Sequence, residues 1–264
     1  MPKIEWTTEK TVTVGPHTIA CAPELELRFD ASVGWNEVPG IRKQRPLRRN
    51  IKRVLWPLLW ARDYYLVNGF AKRQLGRWIK QYVRPETTFL EVGCGPLSLR
   101  RFLPQGLWYN GLDVAFSEFQ LLRISAVGRI NLCLASATNI PVKSDSVDLM
   151  ACNEVLMHIR QVESVIDEVR RIASPGGKFL CSIANVSCHK YQKKGKNTDF
   201  VQDWTFEGFK QLMANHGFRC LDARMMGWWM PLPLWLTKTS YQLPLESKEE
   251  AQNTNFMYAF EVQK

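Results

Sequence analysis

The chain has 264 residues, 45% of them hydrophobic and 23% charged, which is enough to bury one sizeable core and ordinary for a globular domain. Its longest strongly apolar run, Val54–Ala61, falls far short of the roughly 20 residues a bilayer span needs. The opening MPKIEWTTEK lacks the apolar stretch of a signal peptide, so a cytoplasmic protein is expected.

The net charge is +10, and residues 41–84 carry all of the excess: thirteen Lys or Arg against the single acid Asp63. Seven cysteines occur with no Cys-x-x-Cys and no Cys/His cluster at zinc spacing. Cys94, Cys133, Cys152 and Cys181 fall in or beside apolar runs, so reduced, buried thiols are expected and no metal.

In chain order, residues 1–45 read as an N-terminal extension. Val12–Ile19 alternates about Gly15-Pro16, which suits a hairpin. Residues 46–84 read as a basic helical cap in two pieces, the first broken at Pro57. In the second piece Tyr65, Phe70, Leu75, Trp78, Ile79 and Val83 recur near helical spacing, with Lys72, Arg73, Arg77 and Lys80 expected to face elsewhere. From 85 to 264 the pattern changes to one domain of alternating strands and helices. Apolar runs at Thr88–Val92, Trp108–Leu112, Ile130–Leu134, Val147–Cys152 and Lys178–Ile183 alternate with helical stretches at Leu97–Leu103, Ser117–Val127 and Val162–Ala173. That alternation predicts parallel strands with helices on both faces, a three-layer α/β/α sandwich. Thr205–Gly217 reads as a helix with Thr205 as N-cap and Gly217 just past its end. Two further strands, Phe218–Arg224 and Phe256–Val262, flank an aromatic stretch containing Trp228, Trp229 and Trp235.

The phrase FLEVGCGPLSL, residues 89–99, joins a strand to a predicted helix through Gly93-Cys94-Gly95. Such a bend opens a ligand crevice at the end of a strand, and the following helix is expected to offer its N–H groups. Asp113 ends the next apolar run, where a carboxylate can accept both hydroxyls of a ribose. Glu91 stands just before the glycines, which suits a ligand carrying positive charge and would repel a pyrophosphate. A nicotinamide-dependent dehydrogenase also uses Gly-x-Gly and a downstream acid, but Glu91 and Ser98, in the third-glycine place, count against it.

These residues, followed by ASATNIPVKSDSVDLMACNEVLMHI and VRRIASPGGKFLCSIAN, make the stretch 87–185 resemble class I S-adenosylmethionine (SAM)-dependent methyltransferases, in the small-molecule branch that is similar to the ubiquinone and menaquinone enzymes. The resemblance implies a Rossmann-like, seven-stranded, mostly parallel sheet with an antiparallel last strand. It implies SAM as cofactor, with Gly93, Cys94 and Gly95 beneath its methionine part and Glu91 near its ammonium. Asp113 would hold the ribose, Val114 would lie against the adenine, and Ser136, Ala137 and Asn153 would complete the contacts. Ser136 departs from the family, which often carries an acid there for the adenine amino group.

The expected reaction is methyl transfer to an oxygen or nitrogen of a small-molecule or lipid-like acceptor. His158 is the candidate base, with structural packing as its alternative; His189 and Tyr191 lie in a loop where substrates sit, and Glu154 is a substrate contact or a helix-start acid. His17 and His216 read as structural. The basic segment is a solvated face, a nucleic-acid contact, a contact with an anionic membrane surface, or the receiver of an anionic substrate. The chain has neither an Asn/Asp-Pro-Pro-Tyr tetrapeptide nor a Pro-Cys pair, which disfavours amino- and pyrimidine-carbon methylation of nucleic acid. A catalytically silent partner of the same fold, or an RNA-modifying enzyme using residues 42–84, remain the alternatives.

Overall fold

The computed structural model describes residues 2–14, 17–25, 69–95, 97, 99–104, 106–114, 129–194, 200–230, 241–243 and 247–264. The first helical piece of the predicted cap, with Trp56 and Trp60, the predicted helix Ser117–Val127, and Trp235 lie outside them.

Ten strands form one sheet: β1 (Thr11–Val14), β2 (His17–Cys21), β3 (Phe89–Val92), β4 (Tyr109–Asp113), β5 (Ile130–Leu134), β6 (Val147–Asn153), β7 (Ala173–Ala184), β8 (Phe218–Met230), β9 (Tyr241–Leu243) and β10 (Asn253–Val262). Their order is β1-β2-β5-β4-β3-β6-β7-β10-β8-β9. Strands β5, β4, β3, β6 and β7 run parallel, and β10 lies antiparallel between β7 and β8. These seven carry the mostly parallel, Rossmann-like pattern expected from the sequence, but the sheet exceeds the seven strands expected. The hairpin β1–β2 extends one side of it, with β2 parallel to β5, and β9 extends the other side by pairing with the end of β8.

The central strands are buried on both faces, as parallel strands covered by helices must be. Leu90, Val92, Met150 and Cys152 point into one core layer, and Phe89, Leu149 and Ala151 into the other. On the first face α2 (Val162–Ile172) presents Val162, Val165, Ile166, Val169 and Ile172, one apolar stripe at helical spacing. Glu163 in its first turn and Arg170 and Arg171 in its last complement the helix dipole. A short helix α3 (His189–Lys194) follows β7. Helix α4 (Phe206–Asn215) adds Phe209 and Met213 to the same layer. It is capped as its sequence predicts: the Thr205 side chain accepts from the Gly208 N–H at 3.0 Å, and Gly217 follows with φ +80°.

On the second face α1 (Gly69–Tyr82) buries Ala71, Leu75, Trp78 and Ile79, and its Trp78 indole N–H donates to Asp222 at 3.1 Å. Arg77 and Lys80 face solvent as expected, but Lys72 and Arg73 are partly buried. Gly76 is the point of closest packing: a Cβ there would lie 2.5 Å from Cγ of Phe102. Alanine would gain about 1 kcal/mol in helix propensity, but crowding of this kind costs about 1–3 kcal/mol. Gly76→Ala is therefore expected to lower the urea midpoint, against the propensity scale.

Two expectations are corrected. Among the described residues of Leu97–Leu103, the helix expected is a single 3-10 turn at Arg100–Phe102. Leu97 sits in the left-handed region at φ 56°, and Leu103, extended ahead of Pro104, cannot continue a helix. Second, β7 begins at Ala173 rather than Lys178, and it takes Pro175-Gly176-Gly177 into the strand through an irregularity opposite Val147 and Leu149.

Candidate functional site

The sequence-predicted residues converge. Glu91, Asp113 and Asn153 stand at the carboxyl ends of β3, β4 and β6, and Ser136 lies two residues past the end of β5. Those four strands are consecutive neighbours in the sheet, so the residues line one edge, where open α/β sheets bind ligands.

The loop after β3 is knitted onto the end of β4. The N–H groups of Gly93 and Cys94 both donate to the Leu112 carbonyl at 2.9 Å, and the Gly95 N–H donates to Oδ2 of Asp113 at 2.8 Å. The sequence suggested that a helix start would offer free N–H groups here; these three are instead satisfied within the protein. That leaves an edge unsuited to a pyrophosphate, in keeping with the acid just before it.

The two glycines do different work. Gly93 has φ +70°, and a Cβ on it would fall 2.4 Å from Cγ2 of Val155. Gly95 has φ +40°, and nothing among the described residues comes within 4 Å of its would-be Cβ. The first lets the loop pack inward, and the second keeps the outer side open. Cys94 turns its side chain into the core and is 1% exposed. Sequence reasoning missed Gly111, whose lack of a side chain makes room for Cys94: a Cβ there would stand 3.0 Å from the Cys94 side chain and from the Tyr109 ring.

Glu91 is 1% exposed and accepts a short hydrogen bond from the Tyr109 hydroxyl. Burial pushes its carboxyl up to about 8, against the opposing effects of that hydrogen bond and of the Lys72 ammonium, and Asp113 adds to the rise. Lys72 is held below its usual range, first by burial and then by Arg101, while Glu91 and Glu154 act the other way. The sequence reading assigned neither Tyr109 nor Lys72 to the site. Tyr109 lies on the neighbouring strand, and Lys72 reaches the site only because α1 packs across it.

Val114 is 59% exposed beside Asp113, an apolar surface next to a carboxylate. Ser136 accepts from the Thr138 N–H at 3.2 Å and shares a 2.8 Å hydrogen bond with the Thr138 hydroxyl, and Ala137 is buried behind it. Asn153 accepts from the Ser182 hydroxyl at 3.1 Å. Glu154 follows in the left-handed region at φ 59°, a conformation that costs a non-glycine residue about 1–3 kcal/mol. Its carboxylate accepts from Asn255 at 2.7 Å.

Beyond Glu154, the exposed His158 ring lies 5.2 Å from that of Phe200, which meets Tyr191 edge-on at 5.5 Å. Burial and the nearby Glu154 raise the Tyr191 hydroxyl. Val201, next in the chain after Phe200, is 40% exposed. His189 stands at the start of α3 against Gln192 and Glu249. His216 caps the far end of α4 and pairs with Asp167, and His17 lies in β2. All seven cysteines are free thiols, six of them buried, and no metal-binding cluster occurs among the described residues. No helix among them is long and apolar enough to cross a membrane.

A carboxylate that can take a ribose, an exposed apolar residue beside it, an open glycine bend and a buried acid fit a nucleoside with a cationic tail. Residues 90–181 match the methyltransferase domain family. The chain is 29% identical over 116 residues to a thiol S-methyltransferase of Homo sapiens, covering 41% of this chain and 48% of that protein. It is 27% identical over 127 residues to a ubiquinone biosynthesis O-methyltransferase of Idiomarina loihiensis, covering 46% and 52%. These matches span about half the length of the curated relatives. Among solved structures, a SAM-dependent methyltransferase of Thermotoga maritima superposes with TM-score 0.53 at 18% identity, covering 81% of this chain and 99% of that one. The domain match over residues 90–181 and the sheet order support the resemblance to class I SAM-dependent methyltransferases, with SAM as the implied cofactor.

Proposed function

We propose that this chain transfers the methyl group of SAM to an oxygen or nitrogen of a small-molecule or lipid-like acceptor entering at the carboxyl edge of the sheet. The observation that carries this reading is the bend at Gly93–Gly95, braced by Asp113 and backed by the buried Glu91. When bound, SAM supplies an electrophilic methyl on a sulfonium and leaves as a neutral thioether.

The chain's own part is placement. The backbone of Gly93, Cys94 and Gly95 underlies the methionine portion, and Glu91 answers its positive charge. Asp113 takes the ribose hydroxyls while holding Gly95, since a carboxylate has lone pairs for several donors. Val114, Ala137 and Asn153 shape the remainder. Alignment of the two reactants and exclusion of water supply most of the rate enhancement.

The wall of Phe200, Tyr191 and Val201 favours an apolar or aromatic acceptor. We assign to His158, whose ring lies against Phe200, the role of base for the acceptor's proton. On that reading His158→Gln lowers kcat about 10²–10⁴-fold while affinity for S-adenosylhomocysteine holds; a change in affinity alone would assign His158 to packing. Arg77 and Lys80 on α1, with Arg84 just after it, are the exposed described residues of the basic segment available to an anionic membrane surface, for a cytoplasmic protein touching that surface peripherally.

The test is a calorimetric titration with SAM, followed by assay of S-adenosylhomocysteine formation with phenol, amine and thiol acceptors. Absence of SAM binding would overturn the reading. Binding without turnover on any acceptor would favour the silent partner instead.

A further inference from the structure

The 6-amino group of adenine donates hydrogen bonds, and a buried donor without an acceptor costs affinity. If the ribose sits at Asp113 and the base against Val114, as proposed above, the amino group needs an acceptor near the end of β5, the strand next to β4. There Ser136 is a poor partner, because its hydroxyl already engages both the N–H and the hydroxyl of Thr138.

The neighbouring strand supplies a better one. Because β2 runs parallel to β5, with Cys21 opposite Leu134, it leaves the sheet at the same carboxyl edge. The Ala22 N–H donates to the Leu134 carbonyl at 2.8 Å, and the chain then turns, the Leu25 N–H closing on the Ala22 carbonyl at 3.1 Å. That turn is braced: the Lys10 ammonium donates to the carbonyls of Pro23 at 3.1 Å and Leu25 at 2.6 Å, and the Cys21 thiol also reaches Leu25. Glu24 is presented on it, exposed. Its carboxylate meets the Asn139 amide at 3.4 Å, three residues past Ser136. Among the described residues that long contact is its only hydrogen bond.

We infer that Glu24, carried to the sheet edge by the β1–β2 hairpin, is the acceptor that recognises the adenine amino group in place of Ser136. The inference rests on the cofactor reading above and assigns the hairpin a part in the cofactor site. A carboxylate accepting from the amine contributes about tenfold in affinity.

Calorimetry on the full chain tests it with two ligands, S-adenosylhomocysteine and its inosine analogue, which carries a 6-oxo group where the amine was. Wild type is expected to prefer the amino ligand at least tenfold. Glu24→Ala should lose that preference, binding S-adenosylhomocysteine about tenfold more weakly. Adding Ser136→Asp to Glu24→Ala should restore it by placing a carboxylate at the end of β5. Because Glu24 is exposed, Glu24→Ala does not threaten folding, and urea denaturation of the double variant checks that Ser136→Asp leaves the fold intact. A Glu24→Ala variant that keeps both wild-type affinity and wild-type preference overturns the inference and leaves the cofactor reading intact. A wild-type protein that binds neither ligand overturns both.

Discussion

Gly93→Val is expected to remove detectable S-adenosylhomocysteine binding, a loss of more than about 100-fold, and to lower stability by about 2–5 kcal/mol. Two costs add. At φ +70° any side chain is strained, and the new Cβ would press to 2.4 Å from Cγ2 and 2.9 Å from Cγ1 of Val155. Val155 is β-branched and stiff at χ1, and it follows Glu154, itself in the left-handed region, so it has little room to yield. The loop would have to lift, breaking the paired hydrogen bonds from Gly93 and Cys94 to Leu112. Gly93→Ala combined with Val155→Ala should recover the packing cost but not the backbone cost. Urea denaturation and calorimetry on both proteins separate the two. Wild-type affinity in Gly93→Val would show that the bend does not carry the cofactor.

The second large effect is in pH. Glu91 has its carboxyl raised from 4.5 to about 8, so between those values the folded state holds a proton that the unfolded state has released. Stability from this group is therefore full below the unfolded value and declines as pH rises to about 8, by a few kcal/mol in total. Glu91→Gln should flatten the decline across pH 5–8 and leave the protein more stable than wild type at pH 8. Denaturant unfolding at closely spaced pH values measures both. Lys72, whose shift is downward, acts in a different window: its folded state holds fewer protons below 10.5, so its contribution rises with pH. A cationic ligand beside Glu91 favours the ionised carboxylate, so binding at pH 7 should release a proton. Calorimetry in two buffers of different ionisation enthalpy would detect the release, and a wild-type stability profile as flat as that of Glu91→Gln would contradict the burial argument.

Much of the sheet was legible because its signals are local or periodic. Thr205 and Gly217 mark the two ends of α4 by cap chemistry alone, and the stripe from Val162 to Ile172 needs only helical spacing. Gly93, Gly95 and Asp113 were legible as a set because the spacing of strand, turn and next strand puts the loop and the acid at neighbouring strand ends. The rest depended on contacts between distant segments. The helix expected at Leu97–Leu103 fails because Leu97 turns left-handed, which no propensity announces. Lys72 was assigned to solvent by its charge, yet α1 crosses the sheet where that side chain is partly buried. The partners of Glu91 and Cys94, namely Tyr109 and Gly111, occupy the next strand, and their fit appears only once β3 and β4 are in register. The hairpin at Thr11–Cys21 could be read from its turn, whereas its docking beside β5 could not.

That docking shapes how the chain can fold. The Ile4 N–H donates to Asn110 across 106 positions, and Trp6 donates to Asn131 across 125. During synthesis the first two strands emerge long before the strand that will receive them, and they must wait as an isolated two-stranded ribbon, which is marginal in water. Closing so large a loop is an entropic debt settled late, so the opening segment is expected to be the last to become protected from amide exchange on refolding and among the first to open.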